Sequence, residues 1–170
     1  MLRDLLDRAA VQLFKRVPWV GEQWARHHRF VEATAVPWAP MRTPLGEAVV
    51  ALVTTAGVHL ATDPPFDMDD PDGDPSFRVV PADAARDTVT ITHKYYDHSA
   101  ADRDLNVVVP VDRLRELRDA GRIGGIAPRI YSFMGHVDGP HLPVLIERTA
   151  PDVAARLVAD GAGAVFLTPA

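Results

Sequence analysis

The 170 residues contain no cysteine. Disulfides, thiolate metal sites and a cysteine nucleophile are therefore excluded within this sequence. Also lacking is any apolar stretch near the roughly 18–20 residues that span a bilayer. The opening MLRDLLDRAAVQLFKR interleaves charge with apolar residues, unlike the unbroken apolar core of a signal peptide. No membrane partner is expected, and the default location is the cytoplasm. There is no long basic run, and 18 Lys and Arg against 23 Asp and Glu leave a formal net charge of −5. That balance argues against a nucleic-acid partner. No P-loop, G-x-G-x-x-G or G-x-S-x-G motif occurs, so nucleotide binding and a serine-hydrolase elbow have no support. No internal repeat is found.

What is present is an ordinary globular composition, 47% hydrophobic and 24% charged, with length for one domain and a short extension. Leu2, Leu5, Leu6, Ala9, Leu13 and Phe14 share one helical stripe. The opposite face mixes both charge signs, which favours packing on the domain or on a second copy over a membrane surface. A second helix is expected over Glu22–Glu32. The stretch VPWAPMRTPLG then places three prolines in a short span and reads as an extended linker. The domain boundary is set near Leu45, giving a helical extension and Pro-rich linker over 1–44 and an α/β domain over 45–170.

Within that domain, VVALVTTAG is a continuous apolar run ending in small residues and Gly57, as in a central parallel strand. FRVVP and DTVTIT (Asp87–Thr92) read as further strands. VDRLRELRDAG reads as a helix ending at Gly121, and TAPDVAARLVADG as one that starts on Thr149 and Asp152 and ends at Gly161. IGGIAPRIYSFMGHVDGPH is glycine-rich and reads as loop, with a short strand or turn around Tyr131. AVFLTP closes the chain as a strand. Helices alternating with apolar strands imply an α/β fold: a layered, mainly parallel sheet flanked by helices, with an N-terminal helical extension.

The densest polar window is HKYYDHSAADRDLN, with His93, Tyr95, Tyr96, Asp97, His98, Asp102, Asp104 and Asn106 following a strand. Imidazoles beside carboxylates suit general acid–base work. The alternative is a surface loop whose aspartates cap the next element. His93 is the best candidate because it follows the strand end closely. A second constellation, YSFMGH, offers Ser132, Met134, Gly135 and His136; its alternative is a buried aromatic turn. Metal binding finds little support. In DPPFDMDDPDGDPSF, counted from Asp67, Pro71, Asp72 and Arg78 stand where a calcium loop needs an oxygen ligand, glycine and glutamate. No H-x-x-x-H spacing suits zinc.

Four stretches, VALVTTAGVHL, GDPSFRVVP, HKYYDHSAADRDLNVVVPVDRLRELRDAGRIGGIAPRIYSFMGH and DGAGAVFLTP, together resemble the glycine/sarcosine/betaine reductase selenoprotein B family. That family includes the selenocysteine subunit of D-proline reductase. The resemblance spans roughly Val49 to Pro169, and its most specific part is D-x-N-x-V-x-P-x-D-R-L followed by Y-S-F-M-G. The residues before Leu45 carry no resemblance. It implies a reductase that cleaves a carbon–nitrogen bond in an amino acid or methylated derivative. In glycine-type systems the substrate is held as a Schiff base on a pyruvoyl group of a partner subunit, and selenium attacks the α-carbon. Partner reductase subunits or a thiol reductant are implied, together with a small-molecule substrate.

The departure lies at the end. In the family the selenocysteine, or a replacing cysteine, follows the last strand at about the position after L-T-P-x, and here Ala170 is the last residue. The expectation is a selenoprotein read as ending at its selenocysteine codon, with the selenol or thiol beyond Ala170 and one sheet face left bare. A cysteine-less pseudo-enzyme and an arbitrary end are the alternatives. From position and chemistry, His93 is expected to donate a proton to the leaving amine, with Asp97 or His98 beside it. Tyr95 and Tyr96 face substrate. Asp104, Asn106, Asp112 and Arg113 build or brace the pocket. Ser132 to His136 and Thr168 supply a second wall. Two other readings are a non-catalytic binding or assembly module and a metal-dependent hydrolase using His93, Asp97 and His98.

Overall fold

The computed structural model describes residues 13, 16–27 and 38–170. Most of the expected first helix lies outside them. Two compact units emerge: Met1–Pro40 with Lys94–Asp97, and Met41–His93 with His98–Ala170. In the first, helix α1 covers Pro18–His27. It begins earlier than the expected Glu22, because proline at a helix start costs no hydrogen bond. The expected end at Glu32 lies outside the described residues. In the same unit, Lys94 Nζ stands 5.3 Å from the centroid of the Tyr95 ring. Among the described residues no helix is long and apolar enough to cross a membrane.

The second unit is a four-stranded sheet in the order β3-β5-β1-β6. The strands are β1 (Val49–Thr54), β3 (Phe77–Pro81), β5 (Gly125–Phe133) and β6 (Ala164–Thr168). β5 and β6 run parallel to β1, and β3 runs antiparallel to β5. The sheet is mainly parallel, and the α/β expectation holds. A separate ribbon pairs β2 (Val58–Leu60) with β4 (Val89–Ile91). The expected strand over Asp87–Thr92 is thus shorter and starts after a 3-10 turn at Arg86–Thr88. The remaining helices are α2 (Ser99–Arg103), α3 (Val111–Asp119), α4 (His141–Val144) and α5 (Ala150–Ala159).

β5 is the largest departure from the expectation. It runs nine residues through the segment read as a loop. Between the pairs Val50–Ile126 and Leu52–Ile130, β1 advances two residues while β5 advances four. Pro128 sits in that irregularity, where its missing N–H breaks no regular ladder. Its carbonyl still accepts from Ala82 N–H at 2.9 Å. The helix before β6 also differs from expectation. Thr149 is itself helical (φ −77, ψ −39), with no capping bond, and α4 continues through a π-turn at Leu145–Thr149 into α5. The Thr149 hydroxyl donates instead to the Pro75 carbonyl at 2.8 Å.

Alternation places Val53, Phe77, Val79, Tyr131 and Phe133 on the face covered by α5, where Val153, Leu145 and Leu157 meet them. Leu52, Val80 and Ile130 lie on the other face and are buried together with Val58, Val89 and Val109. On the α5 side, Tyr131 Oη donates to Asp160 Oδ2 at 2.8 Å, and Arg129 Nε donates to Asp160 Oδ1 at 2.9 Å. This group ties the end of α5 to β5.

Candidate functional site

The register brings one polar row across the sheet. Thr168 pairs with Thr54, Thr54 with Ser132, and Ser132 with Arg78. The next row inward, Phe166, Leu52, Ile130 and Val80, is wholly apolar. All eight lie on the face opposite α5. The face therefore turns from apolar to polar in one step, close to the carboxyl ends of the parallel strands.

The row is mostly occupied with its own scaffold. Thr168 Oγ1 donates to Val108 O at 2.7 Å, and Thr54 Oγ1 accepts from Ala56 N–H at 3.2 Å. Arg78 donates to the carbonyls of Pro64 at 2.9 Å and Pro65 at 3.0 Å. Ser132 is the exception. It is fully buried, and its hydroxyl has no hydrogen-bond partner, an unmet group that proteins rarely leave in their interiors.

Just beyond the row, three residues, Thr55, His93 and Ala170, converge on Gly135. Thr55 N–H donates to Thr168 O at 3.1 Å, and Ala170 N–H donates to Thr55 Oγ1 at 3.1 Å. Gly135 N–H donates to His93 Nε2 at 3.3 Å. A Cβ at position 135 would stand 2.9 Å from Ala170 O, 3.1 Å from Thr55 O and 3.2 Å from His93 Nε2. Only glycine admits this approach. His93 arrives there through Gly57, whose carbonyl accepts from Thr92 N–H and whose own N–H donates to Phe133 O, each at 2.9 Å. The crevice outside the carboxyl ends of parallel strands is where open α/β sheets place their ligands.

Burial, reinforced by the nearby His136 and His98, lowers the His93 pKa to about 4. At neutral pH the ring is uncharged, and with Nε2 accepting from Gly135 its proton sits on Nδ1. The expected role as proton donor then requires the ring to be protonated first.

The other sequence candidates divide. Tyr95, Tyr96 and Asp97 belong to the first unit. His98 Nδ1 bonds Asp102 Oδ2 at 2.7 Å across one turn. His136 Nε2 bonds Pro71 O at 2.8 Å. Met134 is buried and bridges to Ala56. Asp104, Asn106 and Asp112 form a brace at the start of α3. Asn106 Nδ2 donates to Asp104 Oδ1 and Asp112 Oδ2, each at 2.9 Å, and Asn106 Oδ1 accepts from Asp112 N–H at 3.0 Å. The Asn106 amide holds both carboxyls below their usual range. Arg113 is exposed and pairs with Glu116 at 2.7 Å. Among the described residues no group of three or more His, Asp or Glu is placed to hold a metal ion. Sequence reasoning missed Thr55 and Ala170; the small polar pair Thr54-Thr55 closing an apolar run was the available signal.

The family model for glycine/sarcosine/betaine reductase selenoprotein B matches residues 6–170. The chain is 38% identical over 140 residues to the D-proline reductase subunit gamma of Acetoanaerobium sticklandii, covering 82% of this chain and 56% of that protein. It is 28% identical over 143 residues to the betaine reductase complex component B subunit beta of Peptoclostridium acidaminophilum, covering 76% and 30%. It is 30% identical over 147 residues to the glycine reductase complex component B subunit gamma of Carboxydothermus hydrogenoformans, covering 78% and 30%. The chain thus spans about half the length of the first relative and less than a third of the other two. No solved structure matches. The chain belongs to the glycine/sarcosine/betaine reductase selenoprotein B family, and the match takes in most of the segment before Leu45, where the sequence carries no visible resemblance.

Proposed function

We propose that this chain builds part of the active site of a reductase that cleaves a carbon–nitrogen bond in a small amine or amino-acid derivative. The observation that carries this reading is the convergence of His93, Gly135, Thr55 and Ala170 beyond the ends of β1, β5 and β6. The printed names of the relatives, all reductase subunits, support it. Because these residues include no cysteine, the selenol or thiol of such chemistry is supplied from outside them. Its contribution is a strongly nucleophilic chalcogen at the reacting carbon.

In the net reaction the C–N bond breaks, the carbon gains a hydrogen, and the amine leaves with a second proton. The two electrons come from a dithiol that ends as a disulfide. The neutral His93 ring holds one proton at Nδ1 and takes or relays another within the crevice. Gly135 N–H fixes the ring. Thr55 and Thr168 hold the end of β6 against Gly135. Partner subunits, one of them carrying a pyruvoyl group, and a cytoplasmic location belong to the same proposal.

The test uses the protein isolated from its native host with the subunits that co-purify. Dithiol-dependent C–N cleavage of D-proline, betaine or glycine is expected. His93→Ala should lower kcat by about a hundredfold with an unchanged circular-dichroism spectrum. Unchanged turnover removes His93 from the mechanism, and absence of cleavage in the unaltered complex removes the reaction. A second reading, a non-catalytic assembly module, is favoured by the exposed Val165, Phe166 and Leu167 of β6. Cleavage that proceeds normally in the complex after the Gly135 crevice is filled by Gly135→Leu would favour it.

A further inference from the structure

The segment Asp104–Asp112, so prominent in the sequence, touches the polar row at Val108, whose carbonyl accepts from Thr168. With Ala84, Arg86, Arg103 and Arg115 it encloses a separate cleft of about 320 Å3, and Leu105, Val109 and Val111 are its apolar lining. This cleft and the crevice at Gly135 share no residue. Ala84 lies just past β3, whose last residue pairs with Arg129 at the middle of β5, whereas Gly135 lies past the far end of that strand.

The charges in this cleft do not cancel. Asp112 is taken up by Arg115 at 2.6 Å and by Asn106, and Asp104 by Asn106. Arg115 also donates to the Ala82 carbonyl at 2.6 Å. Arg86 differs, because its Nη1 and Nη2 donate only to the carbonyls of Val89 at 2.9 Å and Asp102 at 3.1 Å, which hold it in place without neutralising it. The Arg103 side chain makes no hydrogen bond or ion pair among the described residues. Two guanidiniums without an ion-pair partner therefore stand beside an apolar wall; Asp104, bonded only to the neutral Asn106 amide, keeps its charge, and three guanidiniums against two carboxylates leave the lining with one net positive charge. A guanidinium fork matches a carboxylate or phosphate two oxygens at a time. The volume falls at the lower end of the roughly 300–1,000 Å3 of small-ligand sites.

We propose that this cleft binds a small organic anion, a carboxylate or phosphate ester on a short apolar body, between Arg103 and Arg86. The site is independent of the reductase reading. The experiment is a 1H–15N NMR titration of the full chain at low ionic strength with butyrate and, separately, with methyl phosphate. Saturable shifts are expected at the amides of Arg86 and of residues 103–109. Arg103→Gln should weaken binding about tenfold, the loss of one charged hydrogen bond. Arg103→Lys should recover part of it, and both variants should melt as the parent does. Saturation by butyrate alone identifies a carboxylate ligand, and by methyl phosphate alone a phosphate. Failure of both to saturate by tens of millimolar, or parent-like affinity in Arg103→Gln, overturns the site.

Discussion

Strands β5 and β6 pair with the same strand, β1, in the same parallel sense, and both are rich in apolar residues. They differ in what covers them. β5 lies between two strands, with α5 on one face, and its Ala127, Ile130, Tyr131 and Phe133 are buried. Among the described residues, β6 has a neighbour strand on one side only. Val165 and Leu167 on the α5 face are 41% and 68% exposed, and Phe166 on the opposite face is 49% exposed. Among the described residues, β6 exposes side chains on both of its faces. The difference teaches that apolar sequence asks for cover and neighbours decide whether it is met. β6 also carries no charge along Ala164–Thr168, so it lacks the residues with which natural edge strands discourage pairing.

The largest effect is expected on the enclosed side. Asp160, with its side chain only 3% exposed, receives Tyr131 and Arg129 together. Asp160→Asn should destabilise the fold by about 2 kcal/mol in urea unfolding, since it removes the charge from a carboxylate that two side chains share. A loss below about 0.5 kcal/mol would mean that α5 is not held to β5 by this group.

The next effect is a pH dependence at the rim of the enclosed region. His93 has a folded pKa of about 4 against the ordinary 6.5. Between those values the unfolded chain binds more protons than the native one, so stability falls as pH drops through that window. From pH 7 to pH 5 this group alone should remove about 2 kcal/mol. The same titration of His93→Asn should lack that component, and identical slopes for parent and variant would contradict a buried neutral imidazole.

The smallest effect belongs to the open side. Leu167→Lys should change unfolding free energy by no more than about 0.5 kcal/mol, as for other exposed positions, while reducing concentration-dependent association in sedimentation. A large loss of stability would show that β6 is covered after all.

Much of the fold was legible. The run Val49–Thr54 announced a central strand, and Gly121 (φ 68) and Gly161 (φ 75) follow helices where the sequence placed them. β5 was not legible, because Pro128 and the flanking glycines carry the local signature of a loop. Only pairing with β1 and β3 turns that segment into a strand. Of the residues near the strand ends, His93, Gly135 and Thr168 were singled out from chemistry and position. Thr55 was not, since a threonine at a strand end has no signature until β6 lies beside it.

The sequence by itself determined the α/β class, the family and the punctuation of most elements, because apolar period and turn chemistry act over a few residues. The tertiary structure alone decided that His93 is neutral, that Ser132 is buried without a partner, and that β6 is more exposed than β5. Each depends on groups distant in the chain: Gly135 meets His93 across 42 residues, and burial is a property of that company.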